Sequence, residues 1–211
     1  AYCGLGTLVM VLNALEVDPG QIFKGPWRWY EEGMLDCCVD LEEVKEQGIT
    51  WDVWCCLGRC QGLKVDAVRA EDNGGGDDGR NSTSSSFSSA ASLEAFRATI
   101  ADACSRDDGV VCVVAYSRRV LGQSGDGHYS PVGGYHAASD SVLVLDVARF
   151  KHPPHWVPLP DLWRALQAQD KVTGRPRGYA LLSRATTAAA AAAAATTTTT
   201  TTTTTVAAGE A

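Results

Sequence analysis

Apolar positions recur at helical spacing from Leu5 to Leu15, and Asp18-Pro19-Gly20 then stops the pattern. Leu41 to Gln47 reads as a short helix, with Asp40 as its N-cap and Gly48 at its end. Trp51 to Gly62 is apolar enough for a further buried helix, and the alternation of Leu63 to Arg69 predicts a strand. Leu93 to Ser105 is amphipathic at helical period, and Val110 to Tyr116 is an apolar, β-branched run. Tyr129 to Tyr135 and Val142 to Val147 predict two strands joined through His136-Ala137-Ala138-Ser139-Asp140. Leu159 to Ala168 predicts a helix and Gly178 to Ser183 a last strand. The aromatic group Trp27, Trp29 and Tyr30 is expected to pack between elements, and His152 and His155, flanking Pro153-Pro154, to lie in a loop. Helices dominate the first half and strands the second. That segregation predicts an α+β architecture of two lobes with a cleft between them.

Two stretches add nothing to a core. Residues 71–92 are rich in Gly, Asp, Asn and Ser and read as a disordered insertion, which is tolerable because loop-closure cost grows slowly with length. Residues 185–211 are an alanine tract followed by a threonine tract, a low-complexity tail expected to hold no stable structure. What remains of the 211 residues is one folded unit, residues 1–184. The chain begins at Ala1 inside what reads as an element, so it is expected to be a fragment with its true N-terminus upstream. The formal charge is −7 with no basic stripe, which argues against nucleic acid as a partner. No apolar run approaches the ~20 residues that cross a bilayer, and no signal peptide is visible. The eight cysteines include the adjacent pairs Cys37-Cys38 and Cys55-Cys56, which are awkward to bridge. They read as free thiols of a reducing, cytoplasmic compartment.

Chemistry enters with Cys3, directly in front of the first helical run. Unpaired N–H groups and the helix dipole favour a thiolate there, so a lowered pKa and a nucleophilic role are expected. Such a nucleophile needs a base, and the base an orienting partner. Of the four histidines, His128 follows Gly125-Asp126-Gly127 and opens a strand, where a side chain can be held rigidly. A turn centred near Ala138 sets facing residues at a constant sum of about 276, which makes Asp146 a diagonal neighbour of His128. Asp146 is a carboxylate in an apolar run, and it needs a partner. A structural pair between Asp146 and Arg149 is the competing account.

Longer motifs carry a resemblance. Ala1-Tyr2-Cys3-Gly4-Leu5, Lys24-Gly25-Pro26-Trp27-Arg28-Trp29, Met34-Leu35-Asp36-Cys37-Cys38 and Gly127-His128-Tyr129-Ser130-Pro131 are similar to phytochelatin synthase. So is Asp146-Val147-Ala148-Arg149-Phe150-Lys151, continuing into Pro153-Pro154-His155-Trp156-Val157-Pro158. The resemblance covers residues 1–184 apart from the insertion. It implies a papain-like fold, with a helical N-terminal lobe, an antiparallel-sheet C-terminal lobe and the active site in the cleft. The activity it implies is a glutathione γ-glutamylcysteinyltransferase with Cys3 as nucleophile, His128 as base and acid, and Asp146 as orienting carboxylate.

By the same resemblance Asp170 and Arg177 match the family's donor site for the γ-glutamyl end, and Arg149 matches an arginine near the catalytic acid that serves the acceptor. The implied partners are glutathione, phytochelatin peptides and heavy-metal ions, with a second copy of the chain as a candidate. The resemblance implies no tightly bound cofactor. An activating ion such as cadmium or zinc would arrive as a glutathione thiolate complex, in the service of heavy-metal detoxification. The family's oxyanion-hole glutamine precedes the cysteine and lies ahead of Ala1, and its cysteine-rich C-terminal region is replaced here by the Ala/Thr tract.

Two other readings stay open: a cysteine peptidase that hydrolyses the thioester, and a thiol-rich metal-binding protein using Cys37, Cys38, Cys55, Cys56 and Cys60. Against the latter, no C-x-x-C pair and no zinc-type Cys/His spacing is present.

Overall fold

Leu5, Leu8, Val11 and Leu12 recur on one face of the first helix, α1 (Cys3–Ala14), and all four are buried. A computed structural model describes residues 2–70 and 92–185. The expected insertion and tail therefore lie outside the described residues, apart from Ser92 and Ala185. α2 (Leu41–Gln47) starts at Asp40, whose carboxylate accepts from Glu42 N–H at 2.8 Å, and ends at Gly48 with φ 83°. α3 (Trp51–Cys60) leads into β1 (Leu63–Arg69). α4 (Leu93–Ser105) is capped by Ser92, whose hydroxyl accepts from Ala95 N–H at 3.1 Å. Then follow β2 (Val111–Ser117), β3 (Gly127–His136), β4 (Ser141–Val144), β5 (His155–Pro158), α5 (Leu159–Gln167) and β6 (Gly178–Arg184).

The strands form one antiparallel sheet in the order β1-β6-β2-β3-β4-β5. Both faces are covered, as the alternation along β2 records. Val113 and Ala115 face a core built with α1, α2 and α3, whereas Cys112, Val114 and Tyr116 face a second core built with α4 and α5. The architecture is α+β as expected. The division by chain half holds only in part, because β1 crosses from the helical half to pair with β6 along its whole length.

Three local readings need correction. His155 opens β5 instead of lying in a loop, because Val157 and Trp156 pair with Val142 and Leu143. The expected strand Val142 to Val147 ends at Val144. Trp27 and Trp29 are exposed on a bridged turn, and of the aromatic group only Tyr30 is buried.

Gly178 sits where β6 crosses between β1 and β2, opposite Arg69 and Ala115. A Cβ there would strike the Val68 carbonyl oxygen and the Arg69 Cα, backbone atoms that cannot swing aside. Gly178→Ala is expected to cost about 1–3 kcal/mol, seen as a lower urea midpoint at unchanged m-value.

Candidate active site

Cys3 is the first residue of α1, and Tyr2 offers no side-chain cap, so no side chain competes there for the first N–H groups. Three bonds tie together the start of α1, β3 and the region of α3. Thr7 Oγ1 donates to the Tyr129 carbonyl at 2.9 Å, Trp54 Nε1 donates to the Gly4 carbonyl at 2.9 Å, and the Tyr129 hydroxyl donates to the Ile49 carbonyl at 3.0 Å. The rings of Trp51, Trp54 and Tyr129 stack with centroids 5.4–6.1 Å apart. Gly4 permits this approach, since a Cβ would collide with Ile49 and crowd Trp54. The residue after Cys3 and the residue after His128 are thereby pinned to one aromatic stack.

His128 faces Tyr116 on β2 and touches its ring edge. The β3–β4 hairpin turns at Ala137–Ser139, and Val132 faces Val144 in the expected register. A bulge between Val132 and Gly134 shifts the ladder by one toward the turn. Leu145 N–H still donates to Pro131 O at 3.0 Å, and the chain then leaves the strand with Asp146 directed at His128. His128 Nε2 and Asp146 Oδ1 are 2.9 Å apart, and Ala148 N–H donates to the same oxygen at 2.7 Å.

The partner of the other Asp146 oxygen is Arg118, at 2.5 Å, and not Arg149. Arg118 also lies 2.8 Å from His128 Nε2 and donates to Gln123 Oε1 at 2.9 Å. Asp146, His128 and Arg118 are all buried. The two neighbours of Nε2 select opposite tautomers. A proton on Nε2 is donated to Asp146, whereas a bare Nε2 accepts from Arg118. Arg118 follows β2 in the doublet Arg118-Arg119, a charge signal at the end of an apolar strand that sequence reasoning did not use.

Burial dominates the protonation states. It pushes the His128 pKa down to about 4; Asp146 pulls it up and the Arg118 charge lowers it. Burial works against the Asp146 carboxylate too, yet the Ala148 N–H, His128 and Arg118 hold its pKa below the ordinary range. The Cys3 thiol is pushed up, which corrects the lowered value expected at a helix start. Burial outweighs the Tyr129 and Gly4 N–H groups that favour the thiolate. At neutral pH Cys3 is therefore a thiol and His128 a neutral imidazole.

Cys3 and His128 line one cavity of about 600 Å³ together with Trp51, Arg69, Asp170 and Arg177. This volume lies within the ordinary range for small-molecule sites. Arg177 is buried and donates to the Ala168 and Gln169 carbonyls at 2.8 and 2.9 Å. It also lies 3.4 Å from Asp126 and 3.7 Å from Asp170. Asp170 Oδ1 accepts from the Val172 and Thr173 N–H groups at 2.9 and 3.0 Å. Asp126 extends this wall beside Lys171, and it was missed although it stands between two glycines immediately before His128. Trp51 Nε1 and Arg69 Nε are buried without hydrogen-bond partners among the described residues, and both residues belong to the cavity wall. Arg149 is exposed on the turn after Asp146 and is not part of that wall.

The five candidate metal thiols divide. The sulfurs of Cys37, Cys38 and Cys60 lie within 4.8 Å of one another, a set able to hold a metal ion. Cys55 is instead buried in the core, where burial pushes its thiol up to about 12. No described helix is long and apolar enough to cross a membrane.

A family model described as phytochelatin synthase matches residues 1–179. The chain is 47% identical over 184 residues to a Lotus japonicus protein named glutathione gamma-glutamylcysteinyltransferase 3, covering 87% of this chain and 34% of that one. It is 46% identical over 184 residues to glutathione gamma-glutamylcysteinyltransferase 1 of Arabidopsis thaliana, with 87% and 34% covered. A Schizosaccharomyces pombe glutathione gamma-glutamylcysteinyltransferase is 41% identical over 182 residues, with 86% and 39% covered. The chain spans about a third of the length of the curated relatives it matches.

Two expectations follow from the buried triad. Between pH 6.5 and about 4 the unfolded chain binds a proton at residue 128 that the folded chain refuses, so His128 makes stability rise with pH through that window and fall as pH drops. His128→Gln should flatten this part of the thermal-unfolding profile measured against pH. Arg118→Met should destabilise by about 3–5 kcal/mol, the cost of removing one partner of a buried pair. Arg149→Ala, at an exposed position, should stay within about 0.5 kcal/mol of wild type in the same denaturation assay.

Proposed function

The chain belongs to the phytochelatin synthase family, and from its site we propose that it is a glutathione γ-glutamylcysteinyltransferase working through Cys3. The observation that carries this reading is one cavity lined by both Cys3 and His128, with His128 bonded to the buried Asp146. In the proposed reaction His128 takes the thiol proton as sulfur attacks the Cys–Gly carbonyl of glutathione. Nε2 is committed to Asp146 and Arg118, so Nδ1 is the nitrogen left for this proton. The tetrahedral intermediate expels glycine, whose amine receives the proton from His128, and a γ-glutamylcysteinyl thioester stays on Cys3. The amine of a second glutathione, or of a phytochelatin, attacks the thioester and regenerates the thiol. A neutral imidazole suits this cycle, because it can accept a proton at neutral pH and return it within the same turnover.

Asp170 and Arg177 are read as the donor subsite, an acid for the γ-glutamyl ammonium and a guanidinium for its carboxylate. Their position on the cavity wall supports this, as an acid and a guanidinium paired at 3.7 Å that a zwitterion's two charges would each replace. Arg149 is read as an acceptor contact from outside that wall. Cadmium or zinc is read as arriving on the acceptor's thiolates. We take the fold as papain-like, with residues 1–184 as the catalytic domain, 71–92 an insertion and 185–211 a tail. A helix-start cysteine and a strand histidine lining one cavity support that assignment. All eight cysteines are free, in keeping with a cytoplasmic site of action.

Incubation with glutathione should yield a γ-glutamylcysteinyl adduct by intact mass, absent in Cys3→Ala and reduced about 10²–10⁴-fold in rate in His128→Ala. Glutathione with cadmium should then give longer γ-glutamylcysteine peptides. Free γ-glutamylcysteine in their place would make water the acceptor, and an adduct on Cys3→Ala would overturn the reading.

A further inference from the structure

The loop after Leu35 presents Cys37 and Cys38 to the end of α3, where Cys56 and Cys60 stand four residues apart on one helical face. The sulfur of Cys38 is 2.8 Å from that of Cys60, 3.6 Å from that of Cys37 and 3.7 Å from that of Cys56. Four thiolates about 2.3 Å from a tetrahedral ion lie roughly 3.7–3.8 Å apart, so small side-chain rotations bring this set to coordinating geometry. Gln61 Nε2 donates to the Cys37 sulfur at 3.4 Å, the kind of outer contact that fixes a ligating thiolate. All four thiols are exposed, which gives an ion an entry path. Neither thiol of the CC pair is used in the acyl-transfer chemistry.

We propose that Cys37, Cys38 and Cys60, with Cys56 as the fourth thiolate, form a binding site for one thiophilic divalent cation of the cadmium or zinc class. The donor set decides the class, since four sulfurs select soft ions and reject magnesium and calcium. It also explains why spacing rules missed the site: one half is an adjacent pair in a turn, the other an i,i+4 pair on a helix, and neither is a C-x-x-C. Thiols ligate as thiolates, so binding displaces protons. The ion would fasten the loop to α3 beside the substrate cavity, because Cys38, Val39 and Asp40 belong to that cavity's wall. Asp40 also caps α2, so the fastened segment is structural as well as lining.

The test uses the full chain carrying Cys3→Ala, which removes the nucleophile as a competing thiolate. Cadmium chloride alone is titrated into the reduced protein, and sulfur-to-cadmium charge-transfer absorption, equilibrium dialysis and melting temperature are read. One saturating equivalent, proton release and a raised melting temperature are expected. Adding Cys37→Ser, Cys38→Ser and Cys60→Ser should weaken binding at least ~100-fold, the upper range for losing metal-site contacts, and abolish the thermal shift. Cys56→Ser should keep one equivalent with about a quarter less charge-transfer intensity, as expected for one of four thiolates. Cys104→Ser, at an exposed thiol elsewhere, should change nothing. Should circular dichroism find the triple variant unfolded, Cys60→Ser alone carries the comparison. No saturable equivalent, or unchanged affinity in the folded variant, overturns the site. The acyl adduct on Cys3 is measured separately in metal-free buffer, so either proposal can fail while the other stands.

Discussion

The site depends on how α1 docks against β3. Cys3 and His128 line one cavity, next to the bonds from Thr7 to the Tyr129 carbonyl and from Trp54 to the Gly4 carbonyl. Tyr129 is the common member: its backbone holds α1, its ring closes the stack with Trp51 and Trp54, and its hydroxyl holds Ile49. The Gly4, Ile49 and Tyr129 carbonyls in this joint each have a side-chain donor. The functional pair stands immediately beside these anchors, Cys3 before Gly4 and His128 before Tyr129.

Burial then sets the chemistry. Placing an imidazole, a carboxylate and a guanidinium together in the interior favours the arrangement with fewest uncompensated charges. Asp146 and Arg118 neutralise one another, and His128 stays neutral beside them. The thiol likewise stays protonated, because two N–H groups offset only part of its desolvation. Arg118 and Asp146 compete for one ring nitrogen, which gives the protein a means of selecting the imidazole tautomer.

The cavity joins three chemically distinct walls. One is the thiol and imidazole at the α1–β3 joint, and the second is the Asp170–Arg177–Asp126 group held by the turn before β6. The third is the 38–40 segment, whose Cys38 belongs to the thiol cluster and whose Asp40 caps α2. The residues proposed for substrate recognition, acyl transfer and soft-metal binding are therefore adjacent in space although scattered along the chain.

What the sequence determined by itself are the features governed by neighbours in the chain. α2 and α4 have the expected bounds because Asp40, Gly48 and Ser92 cap them locally, and β1 follows from its own alternation. The hairpin register brought Asp146 toward His128 in the sequence reading, although their contact forms beyond the end of β4. Tertiary structure decided whatever depends on long-range burial or convergence. β5 is four residues long and exists through its pairing with β4, so no periodicity could reveal it. Arg118 is an ordinary surface residue by type, and only its desolvated contact with Asp146 makes it part of the site. The sign of the Cys3 pKa shift was wrong from sequence, since helix position is local but desolvation belongs to the assembled fold. The sorting of the thiols follows the same rule: Cys55 and Cys56 are adjacent in sequence, yet helix geometry sends one into the core and the other to the cluster.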